Sequence, residues 1–283
     1  MTVADEAQSD DALFFSRTAS ITSPYRAEQM GMLFTLIPFD EEESFKIVDL
    51  GCGDGKVSEC LLRLFPASTV IALDRSAAIR DLAAERLQYF GERAMVMPFE
   101  FGNDLGPGFL HEEIWLPHLI DVDLVVASHF GDFLRNKPAL TNLLLNALSD
   151  RGAMLIADLG DAQTPDAAEA YLAEWSKEIR SKSLPSESAE IAEDWAWKLK
   201  VYYTDYPYCD GQLSQSDRRN SLLHDLVYLS EFGFKVVDCF WRRAGHTVYG
   251  GMRRIRKGCT IGRHERSMKL ARAMFDVPPP ATP

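Results

Sequence analysis

Cysteine is scarce: Cys52, Cys60, Cys209, Cys239 and Cys259 make five, an odd count with no C-x-x-C spacing. That excludes a disulfide framework or a zinc knuckle and fits a reducing compartment. No apolar run approaches the ~20 residues a membrane-spanning helix needs. Residues 1–11 are acidic and lack the basic-then-apolar pattern of a signal peptide. Repeats and low-complexity blocks are missing as well. Positive charge is short, with 30 Lys and Arg against 42 Asp and Glu, net −12. Such a balance argues against a surface given over to nucleic acid or to an anionic membrane. The deficit is uneven, however. From Arg242 to Arg272 ten basic residues face one acid, a local +9, while residues 1–241 carry 20 basic residues and 40 acids.

What is present is a chain of 283 residues, 46% apolar and 11% aromatic. It suffices for one large domain, or one domain carrying a lid. The sequence reads as a soluble, cytoplasmic protein with no membrane contact.

Strand and helix patterns alternate from residue 45 onward. Phe45–Leu50 is a short apolar run stopped by glycines, which predicts a buried strand. Lys56–Phe65 predicts a helix closed by Pro66, and Thr69–Leu73 a second buried strand ending at Asp74. Ser76 is an N-cap for a helix over Ala77–Phe90. Ala94–Phe101 is a third strand, placed near a sheet edge by Pro98. A fourth strand, Asp123–Ala127, is followed by a helix over Pro138–Leu148 and a fifth strand, Ala153–Ala157. This alternation implies a doubly wound parallel sheet. Residues 162–231 read as mainly helical, with a loop near Tyr206–Gly211 and an apolar face of Leu222, Leu226 and Leu229. Phe234–Trp241 and Thr247–Met252 then predict a hairpin, with Arg242 and Arg243 in its turn.

The expected fold is therefore α/β: a doubly wound seven-stranded sheet, mostly parallel, with a C-terminal antiparallel hairpin and a helical insertion before the last two strands. The expected organisation is a disordered 1–11, a core made of 12–160 and 232–256, an insertion or lid over 161–231, and a basic helix with a Pro-rich tail over 257–283.

Asp49-Leu50-Gly51-Cys52-Gly53-Asp54-Gly55 sits at a strand-to-helix turn, where backbone passes close to a ligand. It is not a dinucleotide fingerprint, because Lys56 or Ser58 stands where G-x-G-x-x-G needs its third glycine. Nor is it a P-loop, since Leu50 replaces the first glycine and Val57 the Ser/Thr after the lysine. The remaining pattern, D-x-G-x-G-x-G after a first strand, resembles motif I of the class I S-adenosylmethionine-dependent methyltransferases. The likeness runs from about Tyr25 to Met252. Asp74 stands where that family places an acid on both ribose hydroxyls. Asn103-Asp104-Leu105 follows strand three, where the adenine is held, and Ser128-His129-Phe130 follows strand four, beside the methionine end. Leu229–Phe234, Phe240-Trp241 and Val248–Gly251 look like the family's final helix and hairpin.

The resemblance implies S-adenosylmethionine as cofactor, with S-adenosylhomocysteine as product. It assigns cofactor contacts to Tyr25, Arg26, Asp49, Gly51, Cys52, Gly53, Asp74, Arg75, Asn103, Asp104, Leu105, Ser128 and His129. Tyr25 and Arg26 belong to a segment that in similar proteins folds over the cofactor; Arg26 is expected either to meet the methionine carboxylate or to be a solvated arginine at a helix start. His129 is the candidate general base, with packing against the cofactor as its other role; Asp158 is a second candidate base. Phe130, Trp195, Tyr202 and Tyr203 are expected at an acceptor pocket, the last three from the aromatic insertion, where several aromatics are also expected to form the insertion's own core. The other histidines, 111, 118, 224, 246 and 264, show no metal-ligand spacing, and no metal is expected.

The acidic body and aromatic insertion point to a small-molecule methyl acceptor. An RNA acceptor gripped by the basic strip, and a cofactor-binding protein without turnover, are the alternatives. The basic segment from Arg263 to Phe275 is expected to dock on the acidic body, or on a second subunit in a homodimer, in preference to RNA.

Overall fold

Nine strands and eight helices carry the described part of the chain, in the order α1 (Arg26–Leu36), β1 (Lys46–Leu50), α2 (Lys56–Leu64), β2 (Thr69–Asp74), α3 (Ala77–Leu87), β3 (Ala94–Pro98), β4 (Glu100–Phe101), β5 (Phe109–Leu110), α4 (Glu112–Trp115), β6 (Val122–Ser128), α5 (Pro138–Ala147), β7 (Leu148–Leu159), α6 (Pro165–Ser181), α7 (Leu222–Ser230), β8 (Val236–Arg243), β9 (His246–Met252) and α8 (Ile261–Phe275). The computed structural model describes residues 23–101, 109–110, 112–129, 138–160, 162, 164–181, 189–194, 196–197, 222–255 and 261–276.

The seven-stranded sheet runs β3-β2-β1-β6-β7-β9-β8. β1 lies parallel to β2 and to β6, with Asp49 opposite Ala72 on one side and Val126 on the other. β9 runs antiparallel to both β7 and β8. Covered on both faces, β1 and β6 are almost wholly buried, as interior parallel strands are. One face packs Ile47, Val126, Leu155 and Val248 under α1 and α2; the other packs Val48, Val125, Met154 and Tyr249 with Trp115, Leu144 and Leu229. The chain departs in opposite directions from β1 and β6, so a crevice opens at their carboxyl ends.

Local differences from the sequence reading have physical causes. β3 is the sheet edge, as Pro98 requires, but it stops there, and Glu100–Phe101 pairs separately with Phe109–Leu110. The helix after Ser76 stops at Leu87 and tightens into a 3-10 turn through Arg93, reversing at Gly91 with φ 55°. β7 begins at Leu148, five residues before Ala153. Its polar start is held by Ser149 and Arg151, which donate to the Asp123 carboxylate at 2.8 and 2.9 Å. The hairpin turn is Ala244-Gly245, and Arg242 and Arg243 end β8 instead of forming it. Both turn residues have positive φ, 44° and 83°, the hand that a two-residue antiparallel turn requires.

The basic strip is largely folded back on the body. α8 lies along α1, with Met268 against Gly31, where a Cβ would fall 2.2 Å from its sulfur. Arg263, 1% exposed, donates to the Phe39 carbonyl at 2.7 Å and stacks over the Phe65 ring at 4.8 Å. Arg266 pairs with Glu41, and Arg254 with Glu43 at 2.5 Å. Arg253 donates to the carbonyls of Leu145, Leu148 and Ser149. Among the described residues, no helix is long and apolar enough to cross a membrane.

Candidate active site

The glycine loop connects β1 to α2 with three left-handed residues, Gly51, Gly53 and Gly55, at φ 67°, 56° and 79°. Other residues adopt this conformation only under strain. Gly55 is also sterically required, since a Cβ there would lie 3.2 Å from the Ala83 Cα of α3. At Gly53 a Cβ would meet nothing within 4 Å, so that side of the loop is open. Asp74, at the carboxyl end of β2, steadies the loop: its Oδ2 accepts from Gly53 N at 3.1 Å and its Oδ1 from Ser76 N at 2.9 Å.

Asp49 is fully buried beneath the loop. Its Oδ2 accepts from Ser58 Oγ at 2.6 Å, while Oδ1 has no hydrogen-bond partner. Burial pushes its carboxyl up to about 6, partly opposed by the Ser58 hydrogen bond and the Arg26 charge. Cys52, also buried in the loop, has its thiol pushed well up by burial and by Asp49, so it is inert as a nucleophile.

α1 supplies the opposite charge. Arg26 is 8% exposed, donates to Ser128 Oγ and, at 3.3 Å, to Gln29 Oε1. Burial lowers its guanidinium to about 10, still cationic at neutral pH. Among the described residues no carboxylate oxygen lies within 4 Å of it. A buried cation is costly; the charges of Asp158, Asp49 and Asp54 offset part of that cost, and an anionic ligand group would offset more.

Gln29 organises the far end of the site and was not singled out by the sequence. Its Nε2 donates to the carbonyls of Asp158 and Thr247 at 3.2 and 2.8 Å, joining β7 and β9 to α1. Its Oε1 therefore faces His129 Nε2, 3.3 Å away, and must accept. Gln29 thereby orients the His129 ring through Nε2. His129 has φ 51° and donates its backbone N–H to the Ala157 carbonyl at 2.8 Å. Left-handed backbone at a non-glycine residue costs about 1 kcal/mol or more and concentrates at functional positions. Burial, with Arg26 and His246 nearby, holds its imidazole well below the usual range, so it is neutral at pH 7.

The remaining predicted residues separate clearly. Tyr25, buried at the start of α1, directs its hydroxyl to the Glu174 carbonyl and Oε1 at 3.2 and 3.3 Å, beneath the Arg243 guanidinium. Arg243 also pairs with Glu28 and Glu174 at 2.8 and 3.4 Å, joining α6 to the core. Such exposed pairs contribute about 0.5 kcal/mol each. Asp158 accepts from the Leu159 backbone N–H at 2.8 Å, a local capping arrangement. Arg75 is exposed and contributes its carbonyl to Arg80. Asn103, Asp104, Leu105, Phe130, Trp195, Tyr202 and Tyr203 lie outside the described residues.

Strand order, the antiparallel β9 and the glycine loop after β1 make a Rossmann-like sheet. No protein-family model matches the sequence. The chain is 28% identical over 139 residues to a trans-aconitate 2-methyltransferase of Acidovorax sp. strain JS42, covering 48% of this chain and 45% of that one. It is 31% identical over 81 residues to the ribosomal RNA small subunit methyltransferase H of Prochlorococcus marinus, covering 29% and 27%. Thus it spans less than half the length of the curated relatives it matches. Among solved structures, an S-adenosylmethionine-dependent methyltransferase from Aquifex aeolicus superposes with TM-score 0.47 at 14% identity, over 84% of this chain and 97% of that one.

Proposed function

We propose that this chain transfers a methyl group from S-adenosylmethionine to a small-molecule acceptor by in-line displacement. One observation carries the reading: a buried acid with an orphan oxygen, Asp49, and a buried cation, Arg26, with no carboxylate within 4 Å among the described residues, flank one open glycine loop. That pair is complementary to the ammonium and carboxylate of an amino-acid moiety. Asp74, at the next strand end, adds a carboxylate suited to vicinal hydroxyls. Together they match the methionine and ribose parts of S-adenosylmethionine.

When bound, this cofactor supplies an already activated methyl group, so the chain's task is alignment and exclusion of water. Arg26 and Asp49 would fix the amino-acid end, Gly51 and Gly53 let backbone approach, and Asp74 would hold the ribose. His129, neutral and oriented by Gln29, would take the proton of a hydroxyl or amine nucleophile. Docking of α8 on the body occupies several basic residues that had supported an RNA acceptor. Calorimetry with S-adenosylhomocysteine tests the reading directly. Absence of saturable binding would sink it, and tight binding without methylation of any cell extract would leave a non-catalytic binder.

Two consequences are measurable. A carboxyl that titrates higher in the folded than in the unfolded chain favours folding most at low pH. Asp49 moves from 3.8 to about 6, so its contribution is full below pH 3.8 and is lost as pH rises through 6. The unliganded chain should gain on the order of 3 kcal/mol or less from this group between pH 7.5 and pH 4. Cofactor affinity should move the other way, about tenfold weaker at pH 5, because an ammonium needs the ionised carboxylate. Asp49→Asn should flatten both trends in calorimetry and thermal melts. Separately, His129→Gln should lower turnover about 100-fold with cofactor affinity held within about twofold. Equal rates for variant and parent across pH would assign His129 to packing alone.

A further inference from the structure

Among the described residues, the Arg26 guanidinium is gripped by oxygens that carry no charge. Nη2 donates to the Ser128 hydroxyl at the end of β6, and Nη1 to the Gln29 carboxamide oxygen at 3.3 Å. The Phe275 ring of α8 lies 5.5 Å from its central carbon. A guanidinium has five N–H donors in one plane, so a grip through two of them leaves the others for a ligand. Asp158, Asp49 and Asp54 favour its charged form, yet none of them hydrogen-bonds it.

The amide at position 29 is fixed in orientation. Gln29 is fully buried, and its Nε2 donates to the carbonyls of Asp158 and Thr247 at 3.2 and 2.8 Å. Its oxygen is therefore the atom that Arg26 meets. A glutamate has almost the same shape and would bring a full negative charge to the same guanidinium. An aspartate at position 128 would do so from β6. Either would close the cation into an ion pair, and a ligand anion would then meet a carboxylate already in place.

We propose that Gln29 and Ser128 set the selectivity of the site for a carboxylate-bearing cofactor, because two neutral acceptors aim Arg26 without neutralising it. The inference rests on the methyl-transfer reading above and names the residues that govern its choice of cofactor. Both are positioning residues in this role, since they act on the ligand carboxylate through Arg26. The ammonium of the same moiety falls to Asp49, so separate groups read its two charges.

The probes are S-adenosylhomocysteine and its decarboxylated analogue, which differ only in the carboxylate. Both keep the ammonium, ribose and adenine, so the ratio of their affinities in calorimetry isolates the contact with Arg26. The parent should prefer S-adenosylhomocysteine about 100-fold, as two charge-assisted hydrogen bonds would give. Gln29→Glu should cut that preference to about threefold or less. Gln29→Leu loses the same bonds to Asp158 and Thr247 but adds no charge. It should weaken both ligands alike and keep the ratio within about threefold of the parent's. A purely structural role would make the two variants equal. Ser128→Asp leaves the Gln29 bonds in place, should also collapse the ratio, and decides the case if the glutamate variant does not fold. A parent ratio near unity, a parent-like ratio in either folded acidic variant, or an equal collapse in Gln29→Leu overturns the proposal. If neither ligand binds the parent chain, the methyl-transfer reading falls instead, so the two failures are distinct.

Discussion

Asp74→Ala is expected to weaken S-adenosylhomocysteine binding about 100-fold while the chain stays folded. The carboxylate ends β2 and already accepts from Gly53 N and Ser76 N. Each of its oxygens keeps a further lone pair, and two vicinal hydroxyls can use them. Hydrogen bonds to a charged group contribute about 1.5–3 kcal/mol each, so losing two removes about 3 kcal/mol, or about 100-fold. The alanine variant also releases Gly53 N, which loosens the loop at the point where it is open. Calorimetry decides the matter: affinity equal to the parent's would remove Asp74 from the ribose site. Asp74→Asn retains one acceptor and should fall between the two.

Arg263→Ala is expected to cause the largest loss of stability, about 3–4 kcal/mol. The guanidinium is buried, donates to the Phe39 carbonyl and covers the Phe65 ring. Truncation leaves a buried carbonyl unpaired, at about 1–3 kcal/mol, and opens a cavity between α8 and the α1–α2 layer. For a chain of this size the thermal midpoint should fall by about 10 °C. Arg263→Met keeps most of the volume and should recover part of the loss, separating packing from hydrogen bonding. A midpoint within about 2 °C of the parent's would mean that docking of α8 contributes nothing.

The core of the fold was legible because its signals are local. Apolar strands of four to six residues, glycines at a strand end and an N-cap serine fix β1, β2 and the start of α3. Asp49, the glycine loop and Asp74 follow from the same stretch. Gln29 was not legible, since its role depends on carbonyls 129 and 218 residues away. His246 carries no spacing signal either; its ring contacts with Tyr25 and His129 arise only when β9 joins the sheet. The hairpin turn was misplaced because Ala244 adopts positive φ, which its side chain does not advertise. Arg263 illustrates a different limit. Composition treats it as surface charge, whereas its long apolar stem and planar head fit a buried site beside an aromatic ring.

The α1–α8 contact also orders events during synthesis. Thr35 and His264 meet although they are 229 positions apart. The helix that presents Arg26 and Gln29 thus gains its second wall only after almost every other described element has left the ribosome. Contacts of such long range form late, because the loop they close must be ordered first. A nascent chain arrested before residue 261 would hold the sheet and the glycine loop yet lack the support that fixes its buried cation. On the proposed reading, competence for ligand arrives in one step, once α8 has been made, instead of growing with the sheet.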